Sequence, residues 1–281
     1  MRYGITIFPT EYTAPPDEIA RNVEERGFES LWFPEHTHIP AARKTPWPGG
    51  PELPREYYHT FDPFVACTAA AMATRDLKVA TGICLVIQHH PITLAKLVAS
   101  VDRISNGRFI FGIGGGWNKE EVEHHGTAFK TRFRLLRERV LAMKALWSQE
   151  KAQFHGNFVD FDESVMNPKP VQQPNPPIMM GGDGPTTFDR VIEFCDGWLP
   201  IARGVSLPPG LADKISELRR RAEGVGRDPD KLSITLFGCP PNRDAIDEAE
   251  RAGVGRVIFG VAPTEPVELW KTLDERARLV R

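Results

Sequence analysis

Short runs of aliphatic, β-branched and aromatic residues alternate with stretches of helical periodicity along the whole chain. Most of these runs are continuously apolar, as strands buried on both faces of a parallel sheet are. Strands that alternate with helices in this way predict repeated βα units. The eight predicted strands lie at 3–8, 29–33, 78–83, 108–112, 177–181, 197–200, 231–237 and 255–260. The pattern therefore predicts an α/β fold, a single (β/α)8 TIM-barrel domain over residues 1–281.

Helical periodicity marks several of the segments between these strands. Residues 91–105 place apolar side chains at three- and four-residue spacing, which predicts an amphipathic helix. Asp62-Pro63 combines an N-cap residue with proline at the first helical position, and predicts another helix. A last helix is predicted to begin near Pro266. One further helical stripe consists of Leu136, Val140, Met143 and Trp147.

Two insertions exceed what a minimal barrel needs. Residues 38–60 form a long loop after the second strand, rich in proline and glycine, that also holds Trp47, Tyr57 and Tyr58. A loop of this length in a compact domain is usually a lid or a binding loop, so we expect it to contact the substrate. Residues 153–176 are expected to form a hairpin followed by a proline-rich connection to the fifth strand.

Composition and charge restrict the class of partner. The chain of 281 residues is 41% hydrophobic and has a formal net charge of −2, so it lacks the basic surface of a nucleic-acid-binding protein. It contains no run of about eighteen apolar residues that could span a membrane. The N-terminus lacks the apolar core and cleavage site of a signal peptide. We therefore expect a cytoplasmic protein that binds a small-molecule substrate and forms a homodimer.

Disulfide and metal sites are not favoured. The cysteines are Cys67, Cys84, Cys195 and Cys239. Their wide spacing without a CxxC pair favours buried free thiols. His36 and His38 form an HxH motif after a strand, as two metal ligands would. Because the later strand ends supply no further histidine or carboxylate, no metal is expected.

Reactive groups in an eight-stranded βα barrel lie at the carboxyl ends of the strands. One such end carries the run GIGGGWN at 112–118, in which Trp117 breaks the GxGxxG spacing of a dinucleotide fingerprint. Glycines without a Cβ instead allow a large planar ring to approach the barrel rim closely. A plain flexible turn is the alternative interpretation.

The segment GGDGPTTFDRV at 181–191 places glycines after a strand and then opens a helix. Free N–H groups and the positive end of the helix dipole stabilise a phosphate at such a position. The candidate phosphate-binding residues are Gly181, Gly182, Gly184, Pro185 and Thr186. An ordinary turn in which Thr186 or Thr187 caps the helix is the alternative.

His36 differs from the other loop histidines, because its strand end faces the same barrel mouth as the glycine turns. Glu35 precedes it. An imidazole has a pKa suited to proton transfer near neutral pH, so His36 and Glu35 are the candidate catalytic residues. The histidines expected to be merely solvated are His38, His59, His124, His125 and His155.

Nearly the whole chain resembles the luciferase-like monooxygenase superfamily, and within it the oxidoreductases that use the deazaflavin coenzyme F420. The motifs that carry the resemblance are ESLWFPEH at 29–36, VATGICLVIQHHP at 79–91, RFIFGIGGGWNKEEVEHHG at 108–126, FRLLRERVLAMKALW at 133–147, PPIMMGGDGP at 176–185 and CDGWLP at 195–200. The resemblance implies a barrel with insertions, a cofactor ring at the mouth and a phosphate on the glycine loop after the fifth strand.

The resemblance also implies roles for individual residues. Glu35 and His36 match an acid–histidine pair near the cofactor ring, and Asn118 matches a polar contact to the cofactor. Gly82-Ile83 matches a bulge with a non-prolyl cis peptide bond beneath the ring.

Two positions depart from the sugar-phosphate dehydrogenases of this branch. Gly115 stands in the fourth-strand loop where they carry a catalytic carboxylate, and Pro40 stands where they carry a tryptophan. A sugar-phosphate substrate is therefore not expected, and the acid of the reaction is left unassigned. Gly115 is counted among the candidate cofactor contacts.

These features together favour an oxidoreductase that transfers a hydride between F420 and a small organic substrate, with His36 as the proton-transfer group. An FMN-dependent monooxygenase on the same scaffold is one alternative. A non-catalytic protein that binds F420 or a flavin without turnover is another.

Overall fold

The computed structural model describes residues 1–280. Its strands, in chain order, are β1 (Arg2–Thr6), β2 (Ser30–Phe33), β3 (Lys78–Cys84), β4 (Phe109–Ile113), β5 (Ala152–His155), β6 (Asp160–Ser164), β7 (Ile178–Gly181), β8 (Gly197–Leu199), β9 (Ser233–Phe237) and β10 (Arg256–Gly260). All except β5 and β6 form a closed parallel barrel in the order β1-β10-β9-β8-β7-β4-β3-β2. The TIM-barrel prediction is confirmed, and each predicted barrel strand lies within a few residues of an observed one.

Helices surround this barrel. They are α1 (Pro16–Glu25), α2 (Pro63–Ala73), α3 (Pro91–Ile104), α4 (Lys119–His124), α5 (Arg132–Ser148), α6 (Thr187–Phe194), α7 (Leu211–Gly224), α8 (Arg243–Arg251) and α9 (Pro266–Arg278). The predicted N-cap of α2 is confirmed, because the Asp62 carboxylate accepts hydrogen bonds of 2.9 Å from the backbone amides of Phe64 and Val65. Within residues 1–280, none of the helices has the length and apolar character needed to cross a membrane.

The barrel strands are buried on both faces, which explains their continuous apolar sequences. One core fills the barrel interior, and a second, larger core lies between the strands and the surrounding helices. The four cysteines are buried and free, as predicted. The interior core consists of Trp32, Ala80, Ile110, Met179, Leu199 and Ile258.

The insertion at 153–176 contains the predicted hairpin, formed by antiparallel β5 and β6. Its turn is held by Glu138 of α5, whose carboxylate accepts hydrogen bonds from three consecutive backbone amides at 157–159. The proline-rich connection that follows is bound to α3 through Asp102, which accepts from the amides of Val171 and Gln172 at 2.6 and 3.0 Å. The insertion is thus fastened to the outside of the barrel.

Gly112 in β4 lies where two strands approach too closely for a side chain. An added Cβ would lie 2.1 Å from the carbonyl oxygen of Thr81 in β3. We expect Gly112→Ala to lower the free energy of unfolding by about 1–3 kcal/mol through overpacking, measured by urea denaturation. Gly260→Ala in β10 is the matched control, since nothing lies within 4 Å of its added Cβ. Equal losses in both variants would contradict the packing argument.

Candidate active site

Ile83 lies where the motifs after three strands meet. A Cβ added to Gly114 would lie 2.0 Å from Ile83 Cδ1, and one added to Gly181 would lie 3.3 Å from Ile83 Cγ2. The peptide bond Gly82-Ile83 is cis, and the pairing of β3 with β4 shifts register beside it. The predicted bulge with a cis bond is therefore confirmed, whereas its contact with a cofactor ring stays a prediction.

The glycine run after β4 is explained by packing within the chain. A Cβ at Gly115 would lie 2.4 Å from Phe133 Cε1, and the positions of Gly112 and Gly114 are equally crowded by Thr81 and Ile83. Packing within the chain is therefore sufficient reason for these glycines, and the interpretation that they clear space for a ring stays a prediction. Gly115 stays a predicted cofactor contact, through its backbone alone.

The His36 side chain is paired with a carboxylate that comes from another element. Its Nδ1 lies 2.9 Å from Oε2 of Glu121 in α4, and the two side chains are only 8% and 1% exposed. The aromatic rings of Tyr57 and Trp117 lie 4.9 and 6.0 Å from the imidazole, measured between centroids. A carboxylate at Nδ1 places the proton of the neutral imidazole on that nitrogen, which leaves Nε2 free to exchange a proton with a bound molecule.

Glu35 does not form the predicted pair with His36. Its side chain is buried, with Oε1 2.6 Å from Nε2 of His89 and Oε2 accepting from the backbone amide of Leu85. The structure corrects the pairing: Glu121, rather than Glu35, is the carboxylate that holds His36. A catalytic role for Glu35 stays a prediction.

Burial and partner charges act in opposite directions on Glu35 and His89. Burial alone would raise the pKa of Glu35, but the hydrogen bond and charge of His89, together with hydrogen bonds from the Leu85 amide and Cys84, outweigh it, and the pKa is lowered. Burial alone would lower the pKa of His89, but Glu35 outweighs it, and the pKa is raised. Burial and the neighbouring Glu35 charge raise the pKa of the Cys84 thiol well above its ordinary value. These charge states describe an ion pair beside a neutral thiol.

Glu35, Cys84 and His89 each place one potential metal-ligand atom within 4.8 Å of the others. The carboxylate oxygens are already bonded to His89 and to the Leu85 amide. The group is thus an internal hydrogen-bond network.

Asn118 has unused hydrogen-bonding capacity. It is 1% exposed, and neither its Nδ2 nor its Oδ1 has a partner within the described chain. Oε1 of Glu121, one turn further along, is also buried without a partner. Buried polar atoms without partners are costly unless another molecule satisfies them. Asn118 therefore fits the predicted polar contact to a cofactor.

The predicted phosphate loop follows β7. Gly182 has a φ of +105° with open space around it, and its carbonyl accepts a 2.7 Å hydrogen bond from the indole of Trp198. Thr186 precedes α6, but no side chain caps that helix. The Thr186 hydroxyl instead accepts a 2.6 Å hydrogen bond from Arg190. Thr186 thus stands at the N-cap position, as the alternative expects, but its side chain makes no cap hydrogen bond, and a helix start without one fits an anion.

Two arginines beside this loop were missed by the sequence analysis. The guanidinium groups of Arg190 and Arg132 lie 3.8 and 4.4 Å from the ring centroid of Phe133, the side chain that packs against Gly115. Burial, and then the positive charge of Arg190, lower the pKa of Arg132. Arginines on amphipathic helices look like solvated surface residues in a sequence, and only the fold brings these two together.

The loop at 38–60 reaches the mouth and is fastened to α4. Glu120 accepts hydrogen bonds from the backbone amides of Lys44 and Thr45 and from the Thr45 hydroxyl, at 3.1, 3.3 and 2.6 Å. The hydrogen bond from the Thr45 hydroxyl is the largest effect that lowers the pKa of Glu120 to about 2. Because this loop also carries Tyr57, it places an aromatic ring against His36.

The HxH motif does not form a shared ligand pair. Nε2 of His38 lies 2.9 Å from Nδ1 of His124, whereas His36 pairs with Glu121. The Thr37 hydroxyl links His38 and His125 at 3.0 and 2.8 Å. Three histidines that were expected to be merely solvated therefore form a hydrogen-bonded cluster at the rim.

Solved structures share this fold. The monooxygenase RslO1 from Streptomyces bottropensis superposes with a TM-score of 0.79 at 21% sequence identity, covering 100% of this chain and 98% of that one. The coenzyme F420-dependent tetrahydromethanopterin reductase from Methanopyrus kandleri superposes with a TM-score of 0.74 at 18% identity, covering 99% of this chain and 97% of that one.

Sequence relatives include both cofactor types. An uncharacterised protein of Mycobacterium tuberculosis is 37% identical over 265 residues, 93% of this chain and 92% of its own. The FMNH2-dependent dimethylsulfone monooxygenase of Pseudomonas putida is 29% identical over 198 residues, 69% of this chain and 52% of its own. An F420-dependent hydroxymycolic acid dehydrogenase of Mycobacterium tuberculosis is 26% identical over 261 residues, 91% of this chain and 67% of its own.

The family model described as luciferase-like monooxygenase matches residues 10–272, which is most of the chain. The match agrees with the parallel barrel and with the motifs gathered at its mouth. The chain therefore belongs to the luciferase-like monooxygenase family.

Proposed function

We propose that this protein is an oxidoreductase that transfers a hydride between coenzyme F420 and a small organic substrate. The observation that carries the proposal is the buried His36–Glu121 pair at the barrel mouth. The chain's 26% sequence identity to an F420-dependent hydroxymycolic acid dehydrogenase of Mycobacterium tuberculosis supports the same reaction class.

The residues at the mouth fit such a cofactor. Ile83 offers an apolar surface to the ring, and Asn118 supplies a donor and an acceptor that have no partner in the described chain. Gly182, Gly184 and Thr186 form the loop that would hold the phosphate at the start of α6. A bound deazaflavin supplies the hydride chemistry, and the protein supplies orientation and a proton.

The chain's own contribution is a positioned imidazole. With Nδ1 held by Glu121, the Nε2 of His36 can accept a proton from a substrate hydroxyl or return it in the reverse direction. The buried Glu121 carboxylate stabilises the imidazolium formed in this transfer, and so acts as a positioning residue. The aromatic rings of Tyr57 and Trp117 beside His36 restrict the access of water.

Charge beyond the phosphate loop favours F420 over FMN. F420 carries carboxylate groups beyond its phosphate, whereas FMN ends at the phosphate. Arg132 and Arg190 supply two positive charges near the loop, and the Arg132 Nε is buried without a partner in the described chain. Arginine pairs well with both carboxylate and phosphate groups. The proposed site therefore matches the longer and more acidic cofactor.

Titration of the apo-protein with each cofactor tests this choice. We expect F420 to bind about tenfold or more tightly than FMN, a difference of about 1.4 kcal/mol, measured by fluorescence. Equal or tighter FMN binding, with oxygen consumed when the bound flavin is reduced, would instead assign an FMN-dependent monooxygenase. The 29% identity to the dimethylsulfone monooxygenase favours that second candidate.

Substitution of Arg190 tests the reason for the preference. We expect Arg190→Gln to weaken F420 binding about tenfold and FMN binding less, because charged hydrogen bonds contribute about 1.5–3 kcal/mol each. Arg134→Gln is the matched control, since Arg134 is exposed and lies over Phe158 of the hairpin. An equal loss of affinity for F420 and FMN would show that Arg190 does not determine the preference for F420.

One rival to this proposal and two further expectations are tested separately. A protein that binds F420 without turnover would bind the cofactor but show no reaction with any alcohol or carbonyl substrate. The homodimer is checked by light scattering of the purified protein. The cytoplasmic location is checked by cell fractionation.

A further inference from the structure

A cavity lies at the opposite end of the barrel from the candidate active site. It has a volume of about 610 Å³ and is bounded by the amino ends of β1, β3, β4, β9 and β10. That volume is in the range of ordinary small-molecule sites. Six of its lining residues are basic and two are acidic, so its charge is strongly positive in a chain whose net charge is −2. The basic residues are Arg2, Lys78, Arg108, Arg219, Lys231 and Arg256.

Part of this charge is neutralised inside the protein. Arg256 is 3% exposed and makes two 2.8 Å hydrogen bonds to Glu29, which also pairs with Lys78 at 2.9 Å. Lys231 lies 3.9 Å from Asp228. Arg108 has no carboxylate within 4 Å among the residues described, and donates to carbonyl oxygens and to a threonine hydroxyl. These residues form the charged walls of the cavity.

Arg2 and Arg219 stay without a carboxylate partner in the described chain. Arg2 makes one long hydrogen bond of 3.5 Å to the carbonyl of Gly255. The Arg219 Nε is buried without any partner among residues 1–280. The two guanidinium groups border the same turn before β10, since added Cβ atoms at Gly253 and Gly255 would lie 3.4 and 3.5 Å from them. Two guanidinium groups without a carboxylate partner in the described chain thus border one short turn.

The acidic residues at the rim do not neutralise these two guanidinium groups. Asp196 accepts from the backbone amide of Ile178 and lies 4.0 Å from Arg227, which is outside the cavity lining. Asp230 is exposed. Partial burial, and then the positive charge of Arg256, lower the pKa of Arg2, and the nearby Glu29 charge offsets this only in part. A bound anion would relieve this repulsion.

We propose that this cavity is a second binding site, separate from the active site, for a phosphate-bearing small molecule. Arg2 and Arg219 would each donate paired hydrogen bonds to phosphate oxygens, and Arg108 would add positive potential from the cavity wall. The proposal is independent of the reaction at the barrel mouth. The phosphate could belong to a nucleotide or to a free polyphosphate, and the test separates the two.

Calorimetric titration of the full chain with pyrophosphate tests the site. We expect one pyrophosphate per chain, and a loss of affinity of about tenfold to a hundredfold in the Arg2→Gln/Arg219→Gln double variant, because charged hydrogen bonds are lost. Arg220→Gln is the matched control, since Arg220 follows Arg219 on α7 but is 71% exposed and pairs with Glu217. Its affinity is expected to equal that of the wild type.

The same titration distinguishes the origin of the phosphate. Tighter binding of ADP than of pyrophosphate assigns a nucleotide, and equal binding assigns a free polyphosphate, provided that the double variant loses both. Circular dichroism verifies folding, and the single Arg219→Gln variant replaces the double variant if the latter does not fold. No binding to the wild type, or unchanged binding to the folded variant, would overturn the proposal. Unchanged binding would place pyrophosphate at the phosphate loop instead.

Discussion

Replacing His36 with alanine is expected to lower the turnover number about 10²- to 10⁴-fold, because a positioned proton donor or acceptor typically contributes that much. The imidazole contacts Glu121, Tyr57 and Trp117, outside the two hydrophobic cores. Because the variant also leaves the buried Glu121 carboxylate without its partner, some loss of stability is expected, and turnover is compared per folded protein. The measurement is steady-state turnover with F420 and an alcohol or carbonyl substrate, together with a urea denaturation curve.

Two further variants distinguish a loss of proton transfer from a general disruption of the site at the barrel mouth. Glu121→Gln is expected to lower turnover less than His36→Ala and to change its pH profile, because the imidazolium loses its carboxylate partner. His38→Ala is the matched control, since His38 is an exposed histidine two residues away that bonds to His124. A turnover number unchanged in His36→Ala, or lowered equally by His38→Ala, would remove His36 from the mechanism.

The barrel itself was predictable because its physical signals are local and repeated. Mostly apolar runs such as 108–112 and 255–260 reflect strands that are buried on both faces, so each strand shows the requirement for burial in its own sequence. The Asp62-Pro63 helix start was predictable for a related reason, because a cap acts on the next two or three residues only. Neither inference needs knowledge of what lies far away in the chain.

The partners of the site residues were not predictable in the same way. Glu35 lies next to His36 in sequence, and adjacency suggested a pair, but neighbouring residues of an extended chain point to opposite sides. The fold instead brings Glu121 to His36 across 85 positions and His89 to Glu35 across 54. Within NKEEVEHHG, the sequence offers no reason to prefer Glu121 over its acidic neighbours.

The glycine run GIGGGWN shows a different limit. Its glycines suggested clearance for a cofactor ring, but Gly115 is crowded by Phe133 and Gly112 by Thr81. A missing side chain has the same appearance in sequence whether a ligand or the protein fills the space. Only the distances decide between the two.

The buried ion pair of Glu35 and His89 leads to the largest expected effect on stability. Glu35 is 3% exposed and lies between β2 and the loop after β3, where it accepts from His89 and from the Leu85 amide. Removing one member of a buried pair leaves the other charge uncompensated, at a typical cost of about 3–5 kcal/mol. We expect Glu35→Gln to lower the free energy of unfolding by about that amount near pH 6. Urea denaturation measures it.

The sign of the pH dependence follows from the two pKa shifts. The pKa of Glu35 is lowered, so its contribution to stability is complete above its ordinary pKa of 4.5 and is lost as the pH falls further. The pKa of His89 is raised, so its contribution is complete below its ordinary pKa of 6.5 and is lost as the pH rises through the higher folded value. The stability difference between the wild type and Glu35→Gln should therefore be largest between these two values and shrink on both sides.

An exposed pair of the same chemistry provides the control. Glu11 lies 2.5 Å from Nδ1 of His59, but its side chain is 54% exposed, so solvent screens the interaction. Glu11→Gln should leave the unfolding curve close to that of the wild type at every pH. If Glu35→Gln behaves in the same way as Glu11→Gln, the buried pair does not stabilise the loop after β3. If the Glu35→Gln difference instead does not shrink as the pH rises above neutrality, His89 is neutral in the folded protein, and the assigned charge states are wrong.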